Sequence, residues 1–353
     1  MKGNTMQLNV NLNEVTSLIK TVGKDTTIHV QGQPGIGKSS ILDTLAKDMP
    51  THIPVYIDCA DLDLGDLAMP AMDRETKSTA FYPNERFQLH KNQPVIVMLD
   101  EITKASEPVK NMLLPVMLER RLGSVKFHPD SIVYSTGNLV TDGVGDSLKA
   151  HAKNRITTVN LRNPNDDEWI EWAIDNDLSP EVIAWVKQFP HCLASYTDEA
   201  QKENMYIFNP QKTQDAFVTP RSLHKASHIV KERHTLGENT TMTALAGTIG
   251  ESAARDMSAY FSLADELPTR ESIYKEPTKA KVPADPSARV ILVMRELMSI
   301  TKDNFEAWLE YMERLPMEMR ALFAFNIMKG SKQSLAATNK KFIDWAIEHK
   351  QFF

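Results

Sequence analysis

Between Gln31 and Ser40 the chain reads Gly32-Gln33-Pro34-Gly35-Ile36-Gly37-Lys38-Ser39, which meets the pattern G-x-x-x-x-G-K-[ST] at every constrained position. Few sequences constrain a fold as tightly. The three glycines are expected to allow positive φ and a close approach of backbone to an anion, where a Cβ would collide. Successive N–H groups would then line a concave anion site, with Lys38 reaching the β- and γ-phosphates and the Ser39 hydroxyl on Mg²⁺. The flanks agree with this. Thr26 to Val30 reads as a short buried strand, and Ser39 to Met49 as a helix with Ile41, Leu42, Leu45 and Met49 on one face and Pro50 as its stop. A strand entering and a helix leaving, through Ser39 and Ser40, place the positive end of the helix dipole on the phosphates. A nucleoside triphosphate is the expected ligand.

A second stretch completes the chemistry. Pro94-Val95-Ile96-Val97-Met98-Leu99-Asp100-Glu101 has five apolar residues in a row, as in a strand buried on both faces of a parallel sheet. Its acids arrive where the strand ends, the edge at which open α/β sheets bind ligands. Asp100 is expected to hold Mg²⁺ through water as the acidic partner of Ser39, and Glu101 to orient and deprotonate an attacking water. Pro54 to Ala60, Ser131 to Asn138 and Thr157 to Leu161 read as further strands, with Asn138 placed to hold the water or the γ-phosphate. Val109 to Arg121 reads as a helix that contains Pro115 and stops at Gly123. Strands alternating with helices predict an α/β fold, a parallel sheet flanked by helices.

The ordered set of motifs resembles a MoxR-type AAA+ ATPase, of the group that accompanies proteins with a von Willebrand factor A domain. The residues that carry the resemblance are the phosphate loop, Leu99-Asp100-Glu101-Ile102, Leu118 to Gly123, Ser135-Thr136-Gly137-Asn138, Ala152-Lys153-Asn154-Arg155, Asp167-Glu168-Trp169 and Thr219-Pro220-Arg221-Ser222. The resemblance implies roles for three of them. Asn138 matches the sensor-1 position. Arg155 matches the arginine finger, which reaches the γ-phosphate bound by a neighbouring subunit. Arg221 matches sensor 2, which contacts the nucleotide from the lid of its own subunit. A guanidinium suits such work because it stays charged and presents a planar fork to phosphate oxygens. Arg120 and Arg121 compete with Arg155 for the finger role. Where the family usually shows phenylalanine after the finger, Ile156 stands, which alters packing more than charge.

By the same resemblance the phosphate-loop module, residues 1–162, is followed by an all-α lid at 163–264. A linker rich in Pro, Lys and Glu is expected at 265–286, and a helical C-terminal extension at 287–353. Trp169, Trp172 and Trp185 fall on helical faces as core residues; Phe305, Trp308, Leu309, Met312 and Leu315 make one apolar face of the tail. The polar stretch from Asp61 to Gln93 is long for a connection and reads as a surface loop or an insertion with a task, with Phe81 and Tyr82 as candidate contacts for a partner. The implied activity is ATP hydrolysis with Mg²⁺ by a homo-oligomeric ring, a hexamer by resemblance, that remodels or matures a partner protein.

Composition bounds the alternatives. The 353 residues exceed one small core, and the formal net charge of −6 argues against a surface built to coat nucleic acid. Cys59 and Cys192 lie far apart and in no metal-like spacing, which fits reduced thiols and a cytoplasmic setting. No apolar run approaches membrane-spanning length, so no membrane insertion is expected. A GTPase would need N-K-x-D, whereas Asn339-Lys340-Lys341-Phe342 lacks the acid. Two other classes stay open at this point. A DNA motor or helicase loader would carry a dense basic cluster, and a nucleotide-switched scaffold would release no phosphate.

Overall fold

The computed structural model describes residues 8–75, 77–139, 154–211 and 213–350. The chain divides into two compact units, Met1–Asn163 and Pro164–Phe353.

The first unit is organised on six parallel strands. In chain order its strands are β1 (Asn9–Val10), β2 (Ile28–Gln31), β3 (Ile53–Asp58), β4 (Ala68–Asp73), β5 (Ser78–Pro83), β6 (Val95–Asp100), β7 (Arg121–Leu122), β8 (Val125–Lys126), β9 (Ile132–Gly137) and β10 (Thr157–Leu161). The large sheet runs β1-β10-β2-β9-β6-β3, while β4–β5 and β7–β8 are separate antiparallel hairpins. Among the described residues three α-helices accompany it: α1 (Leu12–Val22), α2 (Ser40–Asp48) and α3 (Glu107–Glu119). Every residue of β6 is buried, because side chains alternate between two covered faces. Val95, Val97 and Leu99 pack with Val109, Leu113 and Val116 of α3. Ile96 and Met98 pack with Val15 and Ile19 of α1 and with Ile41, Leu42 and Leu45 of α2. The α/β class expected from the alternation of elements is the one observed.

The five strands expected from the sequence form, and a sixth joins them at the edge. Asn11 caps α1: its Oδ1 accepts the Glu14 N–H at 2.9 Å while Glu14 Oε2 accepts the Asn11 N–H at 2.7 Å. That reciprocal cap ends the helix upstream, leaving Asn9 and Val10 to pair with Asn160 and Leu161 of β10.

The stretch from Asp61 to Gln93 is more regular than its composition suggests. A 3₁₀ turn at Leu64–Asp66, capped by Asp63, leads into the β4–β5 hairpin, in which Met69 faces Tyr82 and Pro70 faces Phe81. Phe81 turns both its backbone groups outward to Ser124, accepting the Ser124 N–H at 2.8 Å and donating to Ser124 Oγ at 3.0 Å. The opposite residue of such a pair also points its N–H away from the ladder, so Pro70 removes no bond from the hairpin.

The two hairpins meet at Gly123. Its φ is +56°, and a Cβ there would lie 2.3 Å from the Phe81 carbonyl oxygen. Gly123 therefore serves the β7–β8 turn and is not the stop of α3. The helix ends at Arg120, itself left-handed at φ +52°.

Among the described residues the regular elements of the second unit are all helical. One apolar cluster runs from Trp169 and Trp185 through Leu223, Leu245 and Met257 to Trp308, Phe323 and Phe342. Ile273, within a helix at Arg270–Lys275, and Ala280 are buried in that same cluster. Residues expected to link a lid to a tail thus help fill one core. Phe305, Trp308, Leu309, Met312 and Leu315 are buried as their spacing predicts. Trp172 is not core: it is 37 % exposed and meets the His224 ring edge-on at 5.7 Å. No helix is long and apolar enough to cross a membrane among the described residues.

Gly123→Ala should lower stability by about 1–3 kcal/mol, since the new side chain meets a backbone atom and a left-handed φ together. Urea unfolding measures this; wild-type stability would mean that the hairpins do not approach so closely.

Candidate functional site

The phosphate loop leaves the carboxyl end of β2 and enters α2 at Ser40. Gly35 and Gly37 have φ of +77° and +104°, as expected, but Gly32 does not have positive φ. Gly32 is required for space: a Cβ would sit 2.6 Å from Ile36 Cδ1 and 3.0 Å from the Leu161 carbonyl oxygen. Ile36 is buried in the cluster shared with α1 and α2 and so anchors the loop, while Pro34 is half-buried. The Ser40 hydroxyl donates to the Gly37 carbonyl at 2.7 Å. Ser39 stands at the N-cap of α2 with no side-chain cap hydrogen bond. Gln33 is buried, its Oε1 accepting from Asn163 Nδ2 at 3.2 Å.

Lys38 is only 7 % exposed. A buried ammonium costs several kcal/mol unless its donors are met. Here Nζ donates to the Gly32 carbonyl at 2.6 Å, the Gln33 carbonyl at 2.9 Å and Asn138 Oδ1 at 3.1 Å. The last contact joins the loop to the residue just past β9, a hundred positions along the chain.

Strand β9 also holds the acids. The Thr136 hydroxyl donates to Asp100 Oδ1 and accepts the Glu101 N–H at 3.1 Å. The other Asp100 oxygen, Oδ2, accepts from the Tyr56 hydroxyl at 2.8 Å. Burial first, and then the hydrogen bond to Asp100, push the Tyr56 phenol well above its ordinary pKa, so it remains a donor. Glu101 has φ of +48°, a conformation that costs a non-glycine residue about 1–2 kcal/mol, and its carboxylate pairs with Lys104. Lys38, Asn138, Asp100 and Glu101 are thus brought together at the carboxyl ends of β2, β9 and β6.

Sequence reasoning missed Thr136, Tyr56 and Lys104. Thr136 was detectable as a polar residue inside a buried strand, where a hydroxyl must find partners. Tyr56 gave only a period-2 signal, and Lys104 gave none.

Arg155 is exposed in the turn before β10, and Thr157 of that strand pairs with Ile28 at the start of β2. The parallel register sets it at the opposite end of the sheet from its own phosphate loop, at least a strand's length away, roughly 13 Å for four residues. Ala152 and Lys153, quoted with it, lie outside the described residues. Of its competitors, Arg120 is committed to the interior. It donates to Thr27 Oγ1 at 2.8 Å, to the Gly23 carbonyl at 2.9 Å and to the Met117 carbonyl, and burial lowers its pKa to about 10. Arg121 pairs with Glu119 at 3.0 Å and donates to the Gly123 carbonyl at 2.8 Å. Arg221 belongs to the second unit, exposed in the first turn of the helix Pro220–Lys231, whose start is fixed by a Thr219–Ser222 cap. Ile156, which follows Arg155, is buried against the α3 side of the sheet.

No group of three or more His, Cys, Asp or Glu side chains that could hold a metal occurs among the described residues. The Ser39 hydroxyl and the Asp100 carboxylate are hard oxygen donors. They suit Mg²⁺, which takes one or two protein oxygens and completes its shell with water and substrate phosphates.

No family model matches the chain, and no curated protein matches it. Solved structures do. A candidate ATPase of Cytophaga hutchinsonii is 14 % identical, with 90 % of this chain and 89 % of that one covered and a TM-score of 0.34. A RuvB point mutant of Thermotoga maritima is 13 % identical, with 72 % and 70 % covered and a TM-score of 0.37. Both overlays are loose, and neither assigns a role to any residue.

Thr136→Val keeps the shape of the side chain but leaves the Glu101 N–H and Asp100 Oδ1 each short of a partner. It should cost about 1–3 kcal/mol in denaturant unfolding, and Thr136→Ser should recover most of that. Wild-type stability in the valine variant would mean that the hydroxyl does not bridge the two acids.

Proposed function

We propose that the chain is an ATP-hydrolysing motor of the MoxR-like AAA+ type, working as a ring in which each site is completed by a neighbouring copy. The single observation that carries the reading is the junction at β9. Asn138 meets Lys38 of the phosphate loop, and Thr136 of the same strand meets Asp100 and Glu101. Three segments far apart in sequence therefore converge on the place where a triphosphate on the loop would end.

Phosphoryl transfer to water needs positioning and charge compensation more than covalent chemistry. The loop amides would cradle the phosphates. Lys38 would give its ammonium to the β- and γ-phosphate oxygens, exchanging carbonyl partners for them. Ser39 and Asp100 would hold Mg²⁺, whose charge offsets that of the triphosphate. Lys104 occupies one Glu101 oxygen, and the other would take the proton of the attacking water while Asn138 would hold that water or the γ-phosphate. Among the described residues the cations in contact with that convergence are Lys38 and Lys104, and Lys104 is already paired with Glu101. Arg155, exposed at the far end of the sheet, is assigned to the site of the next copy, and Arg221 to the nucleotide from the helical unit. Both assignments come from the resemblance of the motifs. The same resemblance assigns a homo-oligomeric ring, partner remodelling and a von Willebrand factor A protein as associate. The exposed side chains of Met69, Met72, Phe81 and Tyr82 on the β4–β5 hairpin are the proposed contact for the remodelled protein.

Glu101→Gln tests the reading. With the base removed, hydrolysis should fall by about 10²–10⁴-fold, while radiolabelled ATP stays bound through gel filtration. Turnover equal to wild type, or lost turnover without retained ATP, would contradict it.

A further inference from the structure

Asp100 is held from two sides that differ in kind. Thr136 reaches Oδ1 from within the sheet and is fully buried. Tyr56 reaches Oδ2 from β3, an edge strand of the sheet, and is 52 % exposed. The register explains how it gets there. Asp58 of β3 is level with Asp100 and Tyr56 with Met98, so Tyr56 and Asp100 share a face one rung apart. The phenol is long enough to cross that diagonal. A side chain half open to solvent gains little from burial at this position. The bond its hydroxyl makes is the one to a carboxylate that is itself 9 % exposed.

We infer that Tyr56 is a positioning residue. Its hydroxyl fixes the plane of the Asp100 carboxylate, so that the remaining lone pairs of that carboxylate face the divalent cation and its water, and so sets how tightly the nucleotide site takes the cation. The inference rests on the nucleotide reading above. Its physical ground is that a carboxylate tied at one oxygen can turn about its terminal bond, whereas one tied at both cannot. Outer partners that orient a metal-binding group typically contribute 10–100-fold in metal affinity. Tyr56 does this from the open edge of the sheet, so it can be altered without disturbing the buried face.

The test is Tyr56→Phe, which removes one oxygen from an exposed ring. Mn²⁺ serves as the probe, titrated by electron paramagnetic resonance into the full-length protein with a non-hydrolysable ATP analogue. The Mn²⁺ dissociation constant should rise about 10-fold, and the half-saturating Mg²⁺ for hydrolysis should move up with it. Affinity for the analogue in EDTA, set by the loop and Lys38, should stay within twofold. A merely structural role would shift the unfolding midpoint without moving the Mn²⁺ constant. Equal Mn²⁺ affinity in variant and wild type overturns this inference alone; absence of Mn²⁺–analogue binding by the unaltered chain overturns the nucleotide reading and this inference with it.

Discussion

The buried ammonium of Lys38 is the constraint on which the site depends. A charge this enclosed can persist only with its donors met, and among the acceptors it takes are two carbonyls of its own loop and the Asn138 side chain. The first two curl the loop around the lysine. The third fastens the loop to the strand beside β2. A triphosphate offers the same ammonium stronger, charged acceptors, so the contacts that shape the loop are ones a ligand can replace.

Strand β9 then links the two halves of the chemistry. Asn138 and Thr136 are two residues apart, so any shift of the strand's carboxyl end is felt by Lys38 and by both acids. Thr136 does more than fill space, because its one hydroxyl both donates to Asp100 and accepts from Glu101. It also helps hold Glu101 in a backbone conformation that a non-glycine residue rarely adopts. From Glu101 the chain passes through α3 to Arg120, whose guanidinium returns to Thr27 at the start of β2, and on to the turn at Gly123. The acids and the hairpin pair are thereby connected through one helix.

Most of this frame was legible in the sequence, for identifiable reasons. β6 declares itself because five apolar residues in a row can only be buried on both faces. The loop declares itself because backbone close to an anion tolerates few residue types. The β4–β5 hairpin did not, since Met69, Met72, Phe81 and Tyr82 expose apolar surface on both of its faces and erase the alternation that marks a half-buried strand. Gly123 looked like a helix stop because glycine commonly ends helices, but close contact between two hairpins claims it instead. Arg120 and Arg155 are equivalent as letters; their surroundings separate them, turning the partly buried Arg120 guanidinium onto Thr27 and Gly23 and leaving Arg155 in solvent. Tyr56 was hidden for a simpler reason. Period-2 patterning tells which face a residue takes, not which rung of the neighbouring strand its side chain can reach.

Among the described residues Lys38 and Lys104 contact the converged set, Lys104 already paired with Glu101, and the account holds that another copy supplies a further cation through Arg155. Mixing a Lys38→Ala protomer with an Arg155→Ala protomer tests this most directly. Each variant alone should be silent, and the mixture should regain a measurable fraction of wild-type phosphate release, because some interfaces then pair an intact loop with an intact arginine. A mixture as silent as its parts, with the unaltered chain hydrolysing ATP as a single molecule in light scattering, would contradict a shared site.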